Sequence, residues 1–141
     1  MKYYLKTQFF FSKFIRTVNK ASDKGLFQVC ALIRGATRRN IRRRRNPSTP
    51  GTPPSAHTAG GLRVIAYVVK DRVGYVGPVK FAGSDFFNNT VPHIHEFGGT
   101  YLHKRGYKQY PKRSYMEYTL KQLVAKGMIP RVFSIGMKRW Q

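Results

Sequence analysis

Residues Arg38 to Pro54 read RRNIRRRRNPSTPGTPP, and this stretch divides the chain. Its first part is a block of positive charge, with Arg38, Arg39, Arg42, Arg43, Arg44 and Arg45 around Asn40 and Ile41. Its second part is barred from helix interiors and central strands. Pro47, Pro50, Pro53 and Pro54 lack an amide donor and fix φ, and Gly51 removes any remaining stiffness preference. A helix is therefore expected to run into the stretch, end on arginines and give way to an extended basic and proline-rich loop over residues 42–61. Arginine near a helix C-terminus complements the helix dipole, but six arginines exceed what one helix end can use. The surplus is expected to face something negative, either nucleic acid or an acidic protein surface.

On the N-terminal side, residues 3–20 carry Tyr4, Phe10, Phe11, Phe14, Ile15 and Val18. Spacings of three and four predict one face of a helix. Ser22 or Asp23 is expected to cap a second helix, with Gly25 a weak joint between the two. That helix continues the apolar face through Leu26, Val29, Cys30, Ile33, Thr37 and Ile41. Arg34, Arg38, Arg42 and Arg45 recur beside it as a basic stripe that leads into the arginine block.

On the C-terminal side the character changes at Leu62. LRVIAYVVK is rich in β-branched and aromatic residues, with Leu62, Val64, Ala66 and Val68 on one face. Asp71 and Arg72 can turn the chain, and VGYVGPVK reads as the returning strand, with Gly77-Pro78 at an edge or bulge. Residues 82–90 form a polar loop carrying Phe86 and Phe87. Pro92 opens a short helix that Gly98 ends as a left-handed cap, and Gly99 frees the chain into an irregular basic strand. SYMEYTLKQLVAK predicts a further helix, buried through Met116, Leu120, Leu123 and Val124 and ended by Gly127. A last strand is expected from Pro130. Together these elements predict an α+β fold, with helices on one face of a small, mostly antiparallel sheet.

A length of 141 residues fits a single domain spanning 1–141. Hydrophobic residues at 41% suffice for a core, but 27 Lys and Arg face 5 Asp and Glu, for a net charge of +22. A chain so charged repels itself, so it is expected beside polyanions or inside an assembly. One cysteine, Cys30, excludes an internal disulfide and a cysteine zinc site. Its place on the apolar helix face predicts an inert thiol. No run of 18 apolar residues occurs, so no membrane span is expected. The N-terminal apolar run is interrupted by polar residues, so export is not expected either.

Catalytic chemistry finds little support. His93, His95 and Glu96, with His103 downstream, could approach a metal only if the segment were extended, because residues two apart diverge on a helix. Asp23, Asp71, Asp85, Glu96 and Glu117 are too scattered for a paired-carboxylate site. Phosphate-cradling glycine loops and nucleophile elbows are absent from the sequence. No enzyme activity, metal or cofactor is expected. Tyr101, Tyr107 and Tyr110 stand among Lys104, Arg105 and Lys108, a pattern that suits stacking on bases but equally a half-buried strand.

Four local motifs resemble those of tailed-bacteriophage head–tail joining, neck and tail-completion proteins. NPSTPGTPPSAHTAGGL after a basic helix is similar to that family's P-x-x-P-G-x-P-P loop before a hairpin. YVGPVKF, with Gly77 and Pro78, resembles its hairpin strand. VPHIHEFGGTY, with Pro92, Glu96, Phe97, Gly98 and Gly99, resembles its P-x-x-x-E-F-G-G-T element. YPKRSYMEYTL, with Tyr110, Pro111 and Met116, resembles the entry to its last helix. There Lys112-Arg113-Ser114-Tyr115 stand where the family has Ala-Arg-Pro-Phe, and Ser114 is expected to serve as an N-cap. The resemblance covers residue 26 to about 125 and leaves the N-terminal helix, residues 1–22, outside.

The resemblance implies a structural virion protein, assembled in a bacterial host's cytoplasm. It implies a six- or twelve-fold ring at the neck that joins portal or connector to tail and surrounds the DNA path. Its partners would be copies of itself, portal and tail proteins, and double-stranded DNA without sequence preference, with no membrane. The basic block, Arg34, Arg38, Arg39, Arg42, Arg43, Arg44 and Arg45, would meet acidic neighbours or DNA. Pro47, Pro50, Gly51, Pro53 and Pro54 would reach an adjacent subunit. The alternative is a small basic ribosomal or other RNA-binding protein, for which the motifs would be coincidence.

Overall fold

A computed structural model of the chain describes residues 11–56, 61–79, 90–103 and 106–138. The elements are α1 (Phe11–Asn40), a 3-10 turn (Gly61–Arg63), β1 (Ile65–Lys70), β2 (Val73–Pro78), α2 (Thr90–Phe97), β3 (Gly99–His103), β4 (Gly106–Tyr110), α3 (Met116–Ala125) and α4 (Met128–Lys138). The fold is α+β. The strands form two separate antiparallel hairpins, β1–β2 and β3–β4, where one sheet was expected. The second arises because Gly106, with φ 107, lets the basic ribbon fold back on itself.

Helix α1 organises the fold, packing against α4, the first hairpin and α3. It is one helix of 30 residues, where two joined at Gly25 were expected. Residues 3–10 of the expected first helix lie outside the described residues. Gly25 does not break α1, because its missing side chain serves packing. A Cβ there would stand 2.7 Å from the Phe133 ring of α4, and one at Gly136 would stand 2.9 Å from the Gly25 Cα. Two glycines thus let the helices meet backbone to backbone. The predicted apolar face is the inner one, with Val29, Cys30, Thr37 and Ile41 buried. Thr37 satisfies its own hydroxyl by donating to the Ile33 carbonyl at 2.8 Å.

Helix α4 replaces the strand expected from Pro130. Proline occupies the third position of this helix, within the first turn, where an amide hydrogen is not needed. Thr119 and Leu123 are buried on α3 as predicted for its inner stripe at Leu123, whereas Leu120 and Val124 are exposed.

The first hairpin turns at Asp71 and Arg72, whose φ values of 52° and 61° are those of a two-residue type I′ turn. Pairing runs from Ile65↔Pro78 to Lys70↔Val73. Strand β1 begins three residues later than Leu62, which is buried in the 3-10 turn. Both alternate sets of side chains are apolar, so periodicity does not choose the inner face. The structure turns Ile65, Tyr67 and Val69 inward and leaves Ala66 and Val68 exposed. Gly74, on the same face as Val69, makes room for Cys30, whose Sγ would lie 2.5 Å from a Cβ there. Burial pushes the Cys30 thiol above its ordinary pKa, consistent with an inert role.

The proline-rich segment is compact rather than extended. Thr49-Pro50-Gly51-Thr52 forms a type II turn, with proline second, Gly51 at φ 80° and the Thr52 amide donating to the Thr49 carbonyl at 3.2 Å. The Ala56 amide then donates to the Arg42 carbonyl at 3.0 Å, closing the loop beside the end of α1. Ile41, Ala56, Leu62, Ile65 and Tyr115 form the core beneath it, with Val76 and Met116 against them. Residues 57–60 of the loop and the Phe86–Phe87 loop lie outside the described residues.

Candidate functional site

Three of the sequence motifs meet in one junction. The Glu96 carboxylate, from the end of α2, caps the start of α3. Its Oε2 accepts from the amides of Tyr115 at 2.9 Å and Met116 at 3.1 Å, and its Oε1 accepts from the Glu117 amide at 2.8 Å. Ser114, expected as the cap, does not serve. The N-cap position is Tyr115, and no side chain of its own caps the helix. A carboxylate against three amides answers both the unpaired donors and the positive end of the helix dipole.

The same junction ties in the neighbouring segments. The Arg113 amide donates to the His95 carbonyl at 2.8 Å, and the Gly51 amide donates to the Lys112 carbonyl at 3.0 Å. Arg113 Nε donates to the Ser48 carbonyl at 3.0 Å. Gly98 has φ 77° and ends α2 as predicted. A Cβ on it would stand 3.1 Å from the Lys112 amide nitrogen, so the two segments cross without side chains between them. Pro47, Pro50 and Gly51 stay exposed, Pro53 is half-buried and Pro54 is buried. Of the proposed reaching residues, the turn therefore presents the first three, while Pro54 belongs to the interior.

The charged groups at this junction fall into two settings. Glu117 is held by Lys112 and Lys121, each at 2.7 Å. Hydrogen bonds from these ammonium groups hold its carboxyl down at about 2, and the Glu117 partner raises the Lys112 pKa. His95 is half-buried, and burial, then the Arg113 charge, pushes its imidazole below the ordinary value of 6.5. The unfolded chain therefore binds the proton more readily. Stability from neutral His95 is complete above pH 6.5 and falls as pH drops through that value toward the folded pKa. We expect the urea midpoint to fall between about pH 7.5 and about pH 5.5, and His95→Gln to flatten that fall. An unchanged slope in the variant would discard the histidine as its source.

The basic block divides. Arg34 is engaged within the chain: its Nε donates to the Ile65 carbonyl at 2.8 Å, and its guanidinium lies 5.8 Å from the Tyr67 ring centre. Phe27 meets the same ring edge-on at 5.0 Å. Arg38, Arg39, Arg42, Arg43, Arg44 and Arg45 are exposed. Among the described residues none of these six has a carboxylate within ion-pair distance.

Two concavities adjoin the proline-rich loop. One of about 320 Å³ lies between the proline turn and α3, with Arg42, Arg44, Tyr118 and Gln122 on its walls. The other, of about 470 Å³, lies between the proline loop and β4, with His95, Lys108, Tyr110 and Arg113 around it. The buried Ser48 hydroxyl, at its edge, has no hydrogen-bond partner among the described residues. Tyr110 is half-buried and Tyr107 is 77% exposed. Other large apolar side chains also stand in solvent, among them Val68, Val73 and Tyr75 on the outer hairpin face and Leu120 and Val124 on α3.

His93 and His95 both lie on α2, the helical arrangement in which positions two apart diverge. Among the described residues no group of three His, Cys, Asp or Glu side chains could hold a metal, and no helix is long and apolar enough to cross a membrane. The roles of Glu96, Tyr118 and Gln122 escaped the sequence reading. Glu96 stands out in the sequence as one of 5 acidic residues and within the HEFGGT motif, but neither signal names the start of α3 as its partner. A scan against protein-family models found no match to this chain, and searches of curated proteins and of solved structures found none.

Proposed function

We propose that this chain is a structural protein of a phage neck, building a ring between portal and tail around the DNA path. One observation carries the reading. The proline loop is far in sequence from the E-F-G-G and Y-P-x-R elements, which flank the β3–β4 hairpin, and all three, each resembling neck proteins, interlock in space through Glu96 on α3, Arg113 on Ser48 and Gly51 on Lys112. Motifs that form one structural unit have a physical reason to occur together, which coincidence would not supply. The exposed apolar side chains and the arginines without carboxylates suit a subunit whose surface is completed by neighbours.

The charge sets a limit on the arrangement. A channel lined by all 27 cations would hold phosphates too tightly for DNA to leave. In this reading most of the arginine block meets acidic neighbouring proteins, and a minority of cations meets DNA. The reading assigns no reaction to the chain. Quantitative mass spectrometry of particles purified from the source, counting this chain against the portal protein, tests it. Roughly six to twelve copies per particle, as closed rings require, is the expected result. Absence from particles, with the chain in a ribosomal or RNA-bound fraction, would overturn it in favour of an RNA-binding protein.

A further inference from the structure

We propose that the cavity between the arginine run and α3 is an oxyanion site that takes a backbone phosphate of nucleic acid, held by Arg42, Arg44 and Tyr118. The backbone places the two arginines. Arg43 forms a bridge with Ala56, so residues 42–44 run extended, and side chains two apart then lie on the same side. Arg42 and Arg44 both line the cavity, and Arg43 does not. Both are exposed and without a carboxylate partner among the described residues, and no acidic side chain lines the cavity.

The opposite wall is polarised toward donation. Asn40 Nδ2 donates to Thr119 Oγ1 at 2.9 Å and to Gln122 Oε1 at 3.3 Å. Gln122 Nε2 in turn donates to the Tyr118 phenol oxygen at 3.0 Å. The phenol oxygen is thus occupied as an acceptor, and its own proton has no acceptor among the described residues. Thr52 donates to the Thr49 carbonyl at 2.7 Å and meets the Thr49 hydroxyl at 3.2 Å, so the threonines close the turn and are not free to compete. Two arginines from the extended run and a phenol from α3 thus line the same cavity. That donor set suits the several oxygens of a tetrahedral phosphate, whereas one guanidinium already satisfies a planar carboxylate. The inference goes beyond the neck reading by naming which cations meet phosphate, and it does not depend on a ring.

The test uses the full chain, with inorganic phosphate and a short DNA duplex as probes. Saturable phosphate binding, followed by NMR shifts, should centre on Arg42, Arg44 and Tyr118. It should be lost in Arg42→Gln/Arg44→Gln and weakened about threefold in Tyr118→Phe, which removes one hydrogen bond. For the duplex, Arg42→Gln/Arg44→Gln should lower affinity about tenfold. Because two guanidiniums share one phosphate, the slope of log affinity against log salt should fall by about one rather than about two. Arg38→Gln/Arg39→Gln removes equal charge outside the cavity and should cost less than about threefold. Equal losses from the two pairs, or displacement of phosphate from the cavity by a glutamate-rich peptide at lower concentration than by duplex, would overturn the proposal. Either result would leave the copy number per particle, and so the neck reading, to be decided separately.

Discussion

Glu96→Ala is expected to lower the stability of the chain by about 3 kcal/mol, the largest loss from any single polar side chain in the described structure. The carboxylate accepts from three successive amides at 2.8 to 3.1 Å. Hydrogen bonds to a charged partner contribute about 1.5–3 kcal/mol each, and buried donors left without an acceptor cost about 1–3 kcal/mol. The full sum of three is not reached, because water can replace part of the cap where Glu117 is partly exposed. Tyr115 is 1% exposed, so its amide has no such recourse. Its phenol sits in the same field: burial, then the Glu96 charge, pushes its pKa up.

The conservative variant sharpens the argument. Glu96→Gln keeps the size and one acceptor but turns an amide NH₂ toward at least one of the three donors. It should recover less than half of the loss, about 1 kcal/mol. Denaturant unfolding followed by circular dichroism reads both. At this chain length, 3 kcal/mol corresponds to a melting temperature lower by about 10 °C. A wild-type midpoint in Glu96→Gln would mean that the cap is a geometric coincidence without energetic weight. Because Glu96 joins α2 to α3, its loss should also loosen the proline turn, which hangs on the same segment through Lys112 and Arg113. Hydrogen exchange at Gly51, whose amide donates to Lys112, would record that coupling.

What was legible in the sequence follows from what each signal measures. Residue type acts on the backbone locally, so the turn at Asp71–Arg72 and the helix stops at Gly98 and Gly127 stand where the sequence placed them, whereas the proline-rich loop, expected to be extended, turns back at Gly51. The apolar face from Val29 to Ile41 was readable because helical spacing reports burial directly. Long-range partners were not readable. Ser114 is a good N-cap by residue type, yet Glu96, nearly twenty positions earlier, takes that place. Pro130 suggested the start of a strand, yet proline is equally at home in a helix's first turn. The outer and inner faces of β1 carry similar residues, so the contacts of Phe27 and Arg34 with Tyr67, and of Cys30 with Gly74, distinguish them. The arginine block was visible at once as charge. That Arg34 is engaged within the chain, and that Arg42 and Arg44 share a cavity with Tyr118, required the fold.

Glycine within the helices offers the second large effect, because Gly35 on α1 and Gly136 on α4 should answer the same substitution with opposite signs. In a helix interior, Gly→Ala ordinarily stabilises by about 1 kcal/mol, since alanine has less backbone freedom to lose. At Gly35 the nearest atom to a new Cβ is the flexible end of Arg39, at 3.4 Å. Gly35→Ala should therefore show the ordinary gain. At Gly136 a Cβ would meet the Gly25 Cα at 2.9 Å and the Lys24 carbonyl at 3.2 Å, both backbone atoms that no rotamer change can move. Overpacking of this kind costs about 1–3 kcal/mol, so Gly136→Ala should lose stability despite its better helix propensity. Gly136→Leu adds volume that the crossing cannot admit, and α4 must lift from α1. The buried surface between them is then lost in addition to the strain, for a total above about 4 kcal/mol. Urea unfolding of the three variants decides the matter. Lower midpoints for both Gly136 variants together with a higher one for Gly35→Ala would establish the close crossing as the reason Gly25 does not break the helix. A stabilising Gly136→Ala would mean that α4 does not seat on α1 at this distance, and the 30-residue continuity of α1 would need another cause.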